Sequence, residues 1–90
     1  MATILIPTAL RQFTAENDSI NVKGETVAEA LGALTEQFPD IKNNLFNERG
    51  KLRSFVNIYV NDEDIRYLDN LGTAVKDGDE LSIIPAVAGG

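Results

Sequence analysis

The chain has 90 residues, no cysteine, no histidine, and fourteen Asp and Glu against eight Lys and Arg, a formal charge of −6. Without cysteine there are no disulfides and no thiolate metal sites, and without histidine the commonest general base and metal ligand are both missing. Ser-His and Cys-His nucleophiles are therefore excluded. The acidic balance disfavours nucleic acid and anionic lipid and favours partners with basic docking surfaces. Ninety residues form one domain, whose modest core buries a little over roughly 60% of the unfolded surface. No apolar run approaches the roughly 18 residues that a membrane span needs. The start, Met1-Ala2-Thr3-Ile4-Leu5-Ile6-Pro7, has no basic segment and only a short apolar run. A cytoplasmic protein without an export signal is expected.

Thr3-Ile4-Leu5-Ile6, closed by Pro7, reads as a first strand, and residues 8–15 as a connecting loop. Ser19-Ile20-Asn21-Val22 alternates and stops at Lys23-Gly24, so a second strand returns beside the first. Thr26-Val27-Ala28-Glu29 has the form of a capping box, in which the Thr26 hydroxyl accepts from the Glu29 amide and Glu29 reaches back. Val27, Ala30, Leu31, Leu34 and Phe38 follow at helical spacing, and Pro39 ends the helix. A short helical turn with Ile41, Leu45 and Phe46 inward is expected next, followed by the polar, glycine-broken loop 47–51. Val56-Asn57-Ile58-Tyr59-Val60 alternates as a third strand. After a turn at 61–64, Ile65-Arg66-Tyr67 is expected as a short fourth strand, and 71–75 as a turn or 3₁₀ segment. Asp77-Gly78-Asp79 is a strong turn signal before the last strand, Leu81-Ser82-Ile83-Ile84.

A hairpin, one crossing helix and a second strand group fit a single mixed α+β sheet of four to five strands with the helix on one face. The ubiquitin-like β-grasp is such a fold, with its first and last strands parallel and central. Ile4, Ile6, Val56, Ile58, Val60, Leu81 and Ile83 are expected under the helix. Alternation sends Leu5, Tyr59 and Ile84 to the uncovered face, and with Phe55 they form an expected partner-binding patch. The carboxylates at 62–64 and 77–80 read as turn-forming, solvated charge rather than as a catalytic or Ca²⁺ site.

Beyond Pro85 come Ala86-Val87-Ala88-Gly89-Gly90, with no ring, charge or long side chain. Glycine lacks a Cβ and enters φ regions closed to other residues, so such an end fits a narrow channel and presents the α-carboxylate of Gly90. Fully extended, these five residues reach roughly 16 Å. The expected organisation is a folded domain over 1–85 and a flexible Gly-Gly tail over 86–90.

Ile6-Pro7-Thr8, Gly50-Lys51-Leu52, the run Phe55-Val56-Asn57-Ile58-Tyr59-Val60-Asn61-Asp62-Glu63-Asp64, Asp77-Gly78-Asp79 and the Ala-Val-Ala-Gly-Gly ending together resemble the bacterial ubiquitin-fold sulfur carriers. This family includes the small subunit of molybdopterin synthase and the thiamin-pathway carrier, and the resemblance is greatest to its cysteine-biosynthesis branch. It implies a carrier rather than an enzyme, with no catalytic residue, metal or bound cofactor of its own. An ATP-dependent E1-like activating enzyme would adenylate the Gly90 carboxylate, and a sulfur source would then convert it to a thiocarboxylate. Val87, Ala88, Gly89 and Gly90 would thread the partners' active sites, with the strand and turn at 55–64 near the mouth. In the cysteine branch the sulfur would attack an aminoacrylate on the pyridoxal phosphate (PLP) of a cysteine synthase. A metallopeptidase would then release cysteine from Gly90. A molybdopterin or thiamin sulfur carrier, and a ubiquitin-like modifier joined to lysines through Gly90, remain open beside it.

Overall fold

Both periodicities in the sequence become solid structure in the computed structural model, which describes residues 1–85; residues 86–90 lie outside the described part. Five strands, β1 (Ala2–Leu5), β2 (Ser19–Val22), β3 (Val56–Val60), β4 (Glu63–Asp64) and β5 (Glu80–Pro85), form one sheet in the order β2-β1-β5-β3-β4. β1 and β5 are parallel neighbours, while the β1–β2, β3–β5 and β3–β4 pairs are antiparallel. The main helix, α1 (Val27–Gln37), buries Val27, Ala30, Leu31 and Leu34. They share one core with Ile4, Ile6, Val56, Ile58, Val60, Leu81 and Ile83. This is the ubiquitin-like β-grasp.

Local chemistry sets the boundaries of α1. The Thr26 hydroxyl accepts from the Glu29 amide at 3.2 Å, so Thr26 is the N-cap. The reciprocal contact is displaced by one residue, because the Glu29 carboxylate accepts from the Glu25 amide at 3.0 Å. The Val27 amide donates to Thr73 O at 3.0 Å and Glu25 O accepts from the Val75 amide at 2.9 Å, which ties the helix start to the segment leading into β5. A Cβ on Gly24 would stand 2.7 Å from the Ala30 amide nitrogen, so β2 meets α1 in a space that only glycine leaves open. Pro39 stops α1, and a 3₁₀ turn (Pro39–Ile41) leads into α2 (Lys42–Leu45), with Ile41 and Leu45 fully buried.

Two sequence expectations are corrected. Residues 8–15 are not a plain loop, since Thr8–Phe13 is a 3₁₀ helix that buries Leu10. Its end is held by Thr14, a fully buried residue whose hydroxyl donates to Asn17 O at 3.1 Å. Ile65–Tyr67 is a 3₁₀ turn rather than the fourth strand, because the Asp64 carboxylate accepts from the Arg66 amide at 2.9 Å and caps that turn. The fourth strand is Glu63–Asp64, joined to β3 by the two-residue turn Asn61-Asp62 with φ of 49° and 73°. Two positive φ values match the right-handed twist of a tight hairpin, and Asn and Asp tolerate them.

Candidate functional site

β5 has a strand on each side for only part of its length. Its pairing with β1 runs from Glu80 to Ser82, opposite Thr3 to Leu5, whereas its pairing with β3 continues to Pro85, opposite Val56. The last described residues of the chain thus leave the centre of the sheet beside the start of β3. Phe55, immediately before that start, is 44% exposed.

The face of the sheet away from α1 carries the expected patch residues in a defined arrangement. Leu5 and Tyr59 are both in register with Ser82, one on each side of β5, and Ile84 stands opposite Asn57. Leu5 is 36% and Ile84 47% exposed, while Tyr59 is half-buried. Tyr59, Asp62, Ser82 and Ile84 line one depression of about 310 Å³. Apolar groups thus surround a polar centre of Ser82 and Asn57. Sequence reasoning passed over Ser82 and Asn57 in favour of large side chains, although their alternation already set them on this face.

The register also revises which segments border the chain's exit. Only the Phe55 end of the 55–64 run lies at Pro85. Val60 is opposite Leu81, and the Asn61 amide donates to Glu80 O at 2.8 Å. That places the 61–64 turn at the far end of β5, about 14 Å away over four residue steps. The 77–79 turn lies at this far end too, where Gly78 N donates to Met1 O at 3.0 Å. The Met1 amine donates to Asp77 at 2.6 Å and holds its carboxyl below the ordinary range. Asp79 is held low by hydrogen bonds from the Lys76 amide and from Asn61. Among the predicted site residues, Val87, Ala88, Gly89 and Gly90 lie outside the described residues.

Asp64 is not the solvated turn charge that the sequence suggests. It is buried, and its carboxylate receives the Arg66 guanidinium at 2.9 Å. The Arg66 side-chain hydrogen bond, followed by the Arg66 amide, holds this carboxyl below its ordinary value. A lowered folded pKa means stability that is present above about pH 4, the ordinary carboxylate range, and lost as pH falls below it. Asp64→Asn keeps a capping side chain but removes the charge. Its stability deficit in urea melts is expected at pH 7 and to shrink by pH 3; an equal deficit at both pH values would refute the ion-pair account.

Residues 4–90 match the ThiS family. The chain belongs to this family of ubiquitin-fold sulfur carriers. The sulfur carrier protein CysO of Mycobacterium tuberculosis is 44% identical over 90 residues, covering 98% of this chain and 97% of that protein. A chain of the crystal structure of the Amycolatopsis orientalis BexX/CysO complex superposes with a TM-score of 0.92 at 47% identity, covering 100% of both chains. The small archaeal modifier protein 1 of Methanosarcina acetivorans superposes with a TM-score of 0.86 at 32% identity, covering 99% of this chain and 95% of that one. No helix among the described residues is long and apolar enough to cross a membrane.

Proposed function

We propose that this ThiS-family chain is a sulfur carrier of cysteine biosynthesis, a co-substrate for other enzymes rather than a catalyst. The observation that carries the reading is the 44% identity to CysO over essentially the whole of both chains. The Gly89-Gly90 end supplies the chemistry. A carboxylate is a poor acyl donor because oxide leaves badly. Adenylation by an ATP-using, E1-like enzyme gives Gly90 a good leaving group, AMP, and a sulfur donor displaces it to leave a thiocarboxylate. That sulfur is a soft nucleophile held covalently, so it is not lost as free sulfide. It is delivered to a carbon electrophile on the PLP of a cysteine synthase, the cofactor supplying the hard chemistry. A metallopeptidase then frees cysteine from Gly90. In this reading the exposed face around Ser82 docks on the partners while the tail enters their active sites.

The deciding experiment mixes thiocarboxylated protein with a PLP-dependent cysteine synthase and an activated serine. A cysteinyl adduct on Gly90 is expected in the intact mass, and it should disappear with the matching peptidase. Docking makes the sulfur attack effectively unimolecular, so free sulfide at equal concentration should be the poorer donor. If no adduct forms, while the same thiocarboxylate sulfurates a pterin precursor with a molybdopterin synthase large subunit, the cysteine assignment fails. The likeness to an archaeal modifier keeps a second reading, attachment to lysines through Gly90, which a ladder of conjugates in host lysate would reveal.

The docking face has its own test. Tyr59→Ala removes an amphipathic aromatic, a residue type enriched in binding hot spots, and is expected to weaken binding to the activating enzyme by about 1–2 kcal/mol or more. Unchanged affinity in isothermal titration would exclude Tyr59 from that interface.

A further inference from the structure

A larger depression lies on the edge of the sheet rather than on its face. It measures about 640 Å³ and follows Val56, Asn57 and Ile58 along the first half of β3, with Leu52, Ile65 and Leu71 also in its lining. It exists because β4 is only two residues long. The β3–β4 ladder covers Tyr59 and Val60, and the chain then turns away into the 3₁₀ segment Ile65–Tyr67. Among the described residues, Val56 to Ile58 therefore has a strand on the β5 side only.

The hydrogen-bonding sense of this edge follows from the ladder. Because the Asn61 amide donates to Glu80 O, the odd-numbered residues of β3 exchange bonds with β5, and Val56 and Ile58 turn their main-chain groups the other way. Arg53 O already accepts from the Val56 amide at 3.0 Å. The Ile58 N–H and the Val56 C=O are left facing the groove. The charge is equally one-sided. Lys51, Arg53 and Arg66 line the groove against one acidic residue, Asp64, which Arg66 already pairs, in a chain whose net charge is −6. Arg49 stands in the adjoining depression with Arg53 and Glu48, so half of the eight basic residues gather at this edge against two acidic ones, Asp64 and Glu48.

We propose that the open edge of β3 takes an extended peptide of a partner protein as an added strand, one with apolar residues on one side and acidic residues on the other. Main-chain pairing at an exposed edge supplies affinity in such complexes, and pockets for alternate side chains supply selectivity. The basic rim selects acidic side chains, and the apolar walls take those between them. A nucleic acid fits less well, because its phosphates can accept from the Ile58 N–H but its backbone offers no donor to the Val56 C=O and no alternating apolar side chains to the walls. The groove lies across β3 from β5, so this binding does not depend on any chemistry at Gly90.

The probe is a nine-residue peptide alternating valine with glutamate, titrated into the full ¹⁵N-labelled chain. Amide shifts are expected at Leu52, Val56 to Ile58, Ile65 and Leu71. The same peptide with lysine for glutamate should bind about tenfold more weakly or worse, since like charges then meet at the rim. Methylating one alternate set of peptide amides should abolish binding while methylating the other set leaves it. Lys51→Glu with Arg53→Glu should remove most of the affinity. Because Arg53 also donates to Asn43 O at 2.7 Å, the exposed single variant Lys51→Glu serves as the second test if the double variant unfolds. Four outcomes each overturn the proposal: no shifts at millimolar peptide, shifts confined to Leu5, Tyr59 and Ile84, equal binding of the two peptides, or tighter binding of oligothymidylate at the same residues.

Discussion

Deleting Gly90, or replacing Gly89 by Val, is expected to abolish sulfur loading while leaving the fold unchanged. Removing Gly90 moves the carboxylate one residue back along the tail and takes away a residue that lacks a Cβ. Valine at 89 adds a branched side chain with restricted χ1 where the proposed path into an activating enzyme admits none. Both changes fall beyond Pro85, the last residue of β5, and the core cluster among the described residues is built from residues 2–83. The measurement is intact mass after incubation with the activating enzyme, ATP and a sulfur donor, followed by a thermal melt of each variant. The wild-type protein should gain the mass of one sulfur-for-oxygen exchange and the variants none, with melting temperatures close together. Loading that survives either change would refute the role of Gly89 and Gly90. A large fall in melting temperature would show that the tail contributes to the fold.

Strands β1, β2, β3 and β5 and helix α1 are legible in the sequence because each rests on a repeated signal, whereas the central place of β1 and β5 follows only from the β-grasp fold. Alternation in β3 and β5 and the Val27, Ala30, Leu31, Leu34 stripe each recur over several residues, and burial enforces them. Single-contact events are harder to read. Ile and Tyr favour strands, so Ile65-Arg66-Tyr67 resembles one, yet one carboxylate on the Arg66 amide redirects the chain. The same applies to Thr8–Phe13, whose end is closed by the Thr14 amide donating to Arg11 O at 3.0 Å. Ladder register is a further blind spot. The sequence shows that Leu5, Tyr59 and Ile84 share a face. It does not show that Leu5 and Tyr59 meet at Ser82, or that the 61–64 turn lies at the end of β5 opposite Pro85. The groove beside β3 is least legible of all, since it arises from the shortness of β4, a fact about where pairing stops.

Leu31→Ala is expected to cost about 2–5 kcal/mol, the range for deleting most of a buried leucine and leaving a partly collapsed cavity. Leu31 is fully buried at the middle of α1 and belongs to the cluster that holds Ile4, Ile58, Leu81 and Ile83. The loss is large against the whole. Natural domains retain roughly 0.05–0.15 kcal/mol per residue, or about 5–13 kcal/mol for a chain of this size. The variant should therefore unfold at markedly lower urea concentration with an unchanged slope, because nearly the same surface is exposed on unfolding. Ala28→Ser, on the exposed side of the same helix, is the control and should cost about 0.5 kcal/mol or less. A Leu31→Ala cost below about 1 kcal/mol would mean that the space under α1 collapses freely, contrary to a close-packed core. Under conditions where it remains folded, Leu31→Ala should still accept sulfur, whereas the Gly89 and Gly90 variants stay folded and do not. The two kinds of variant would thus separate the domain that holds the fold from the terminus proposed to carry the cargo.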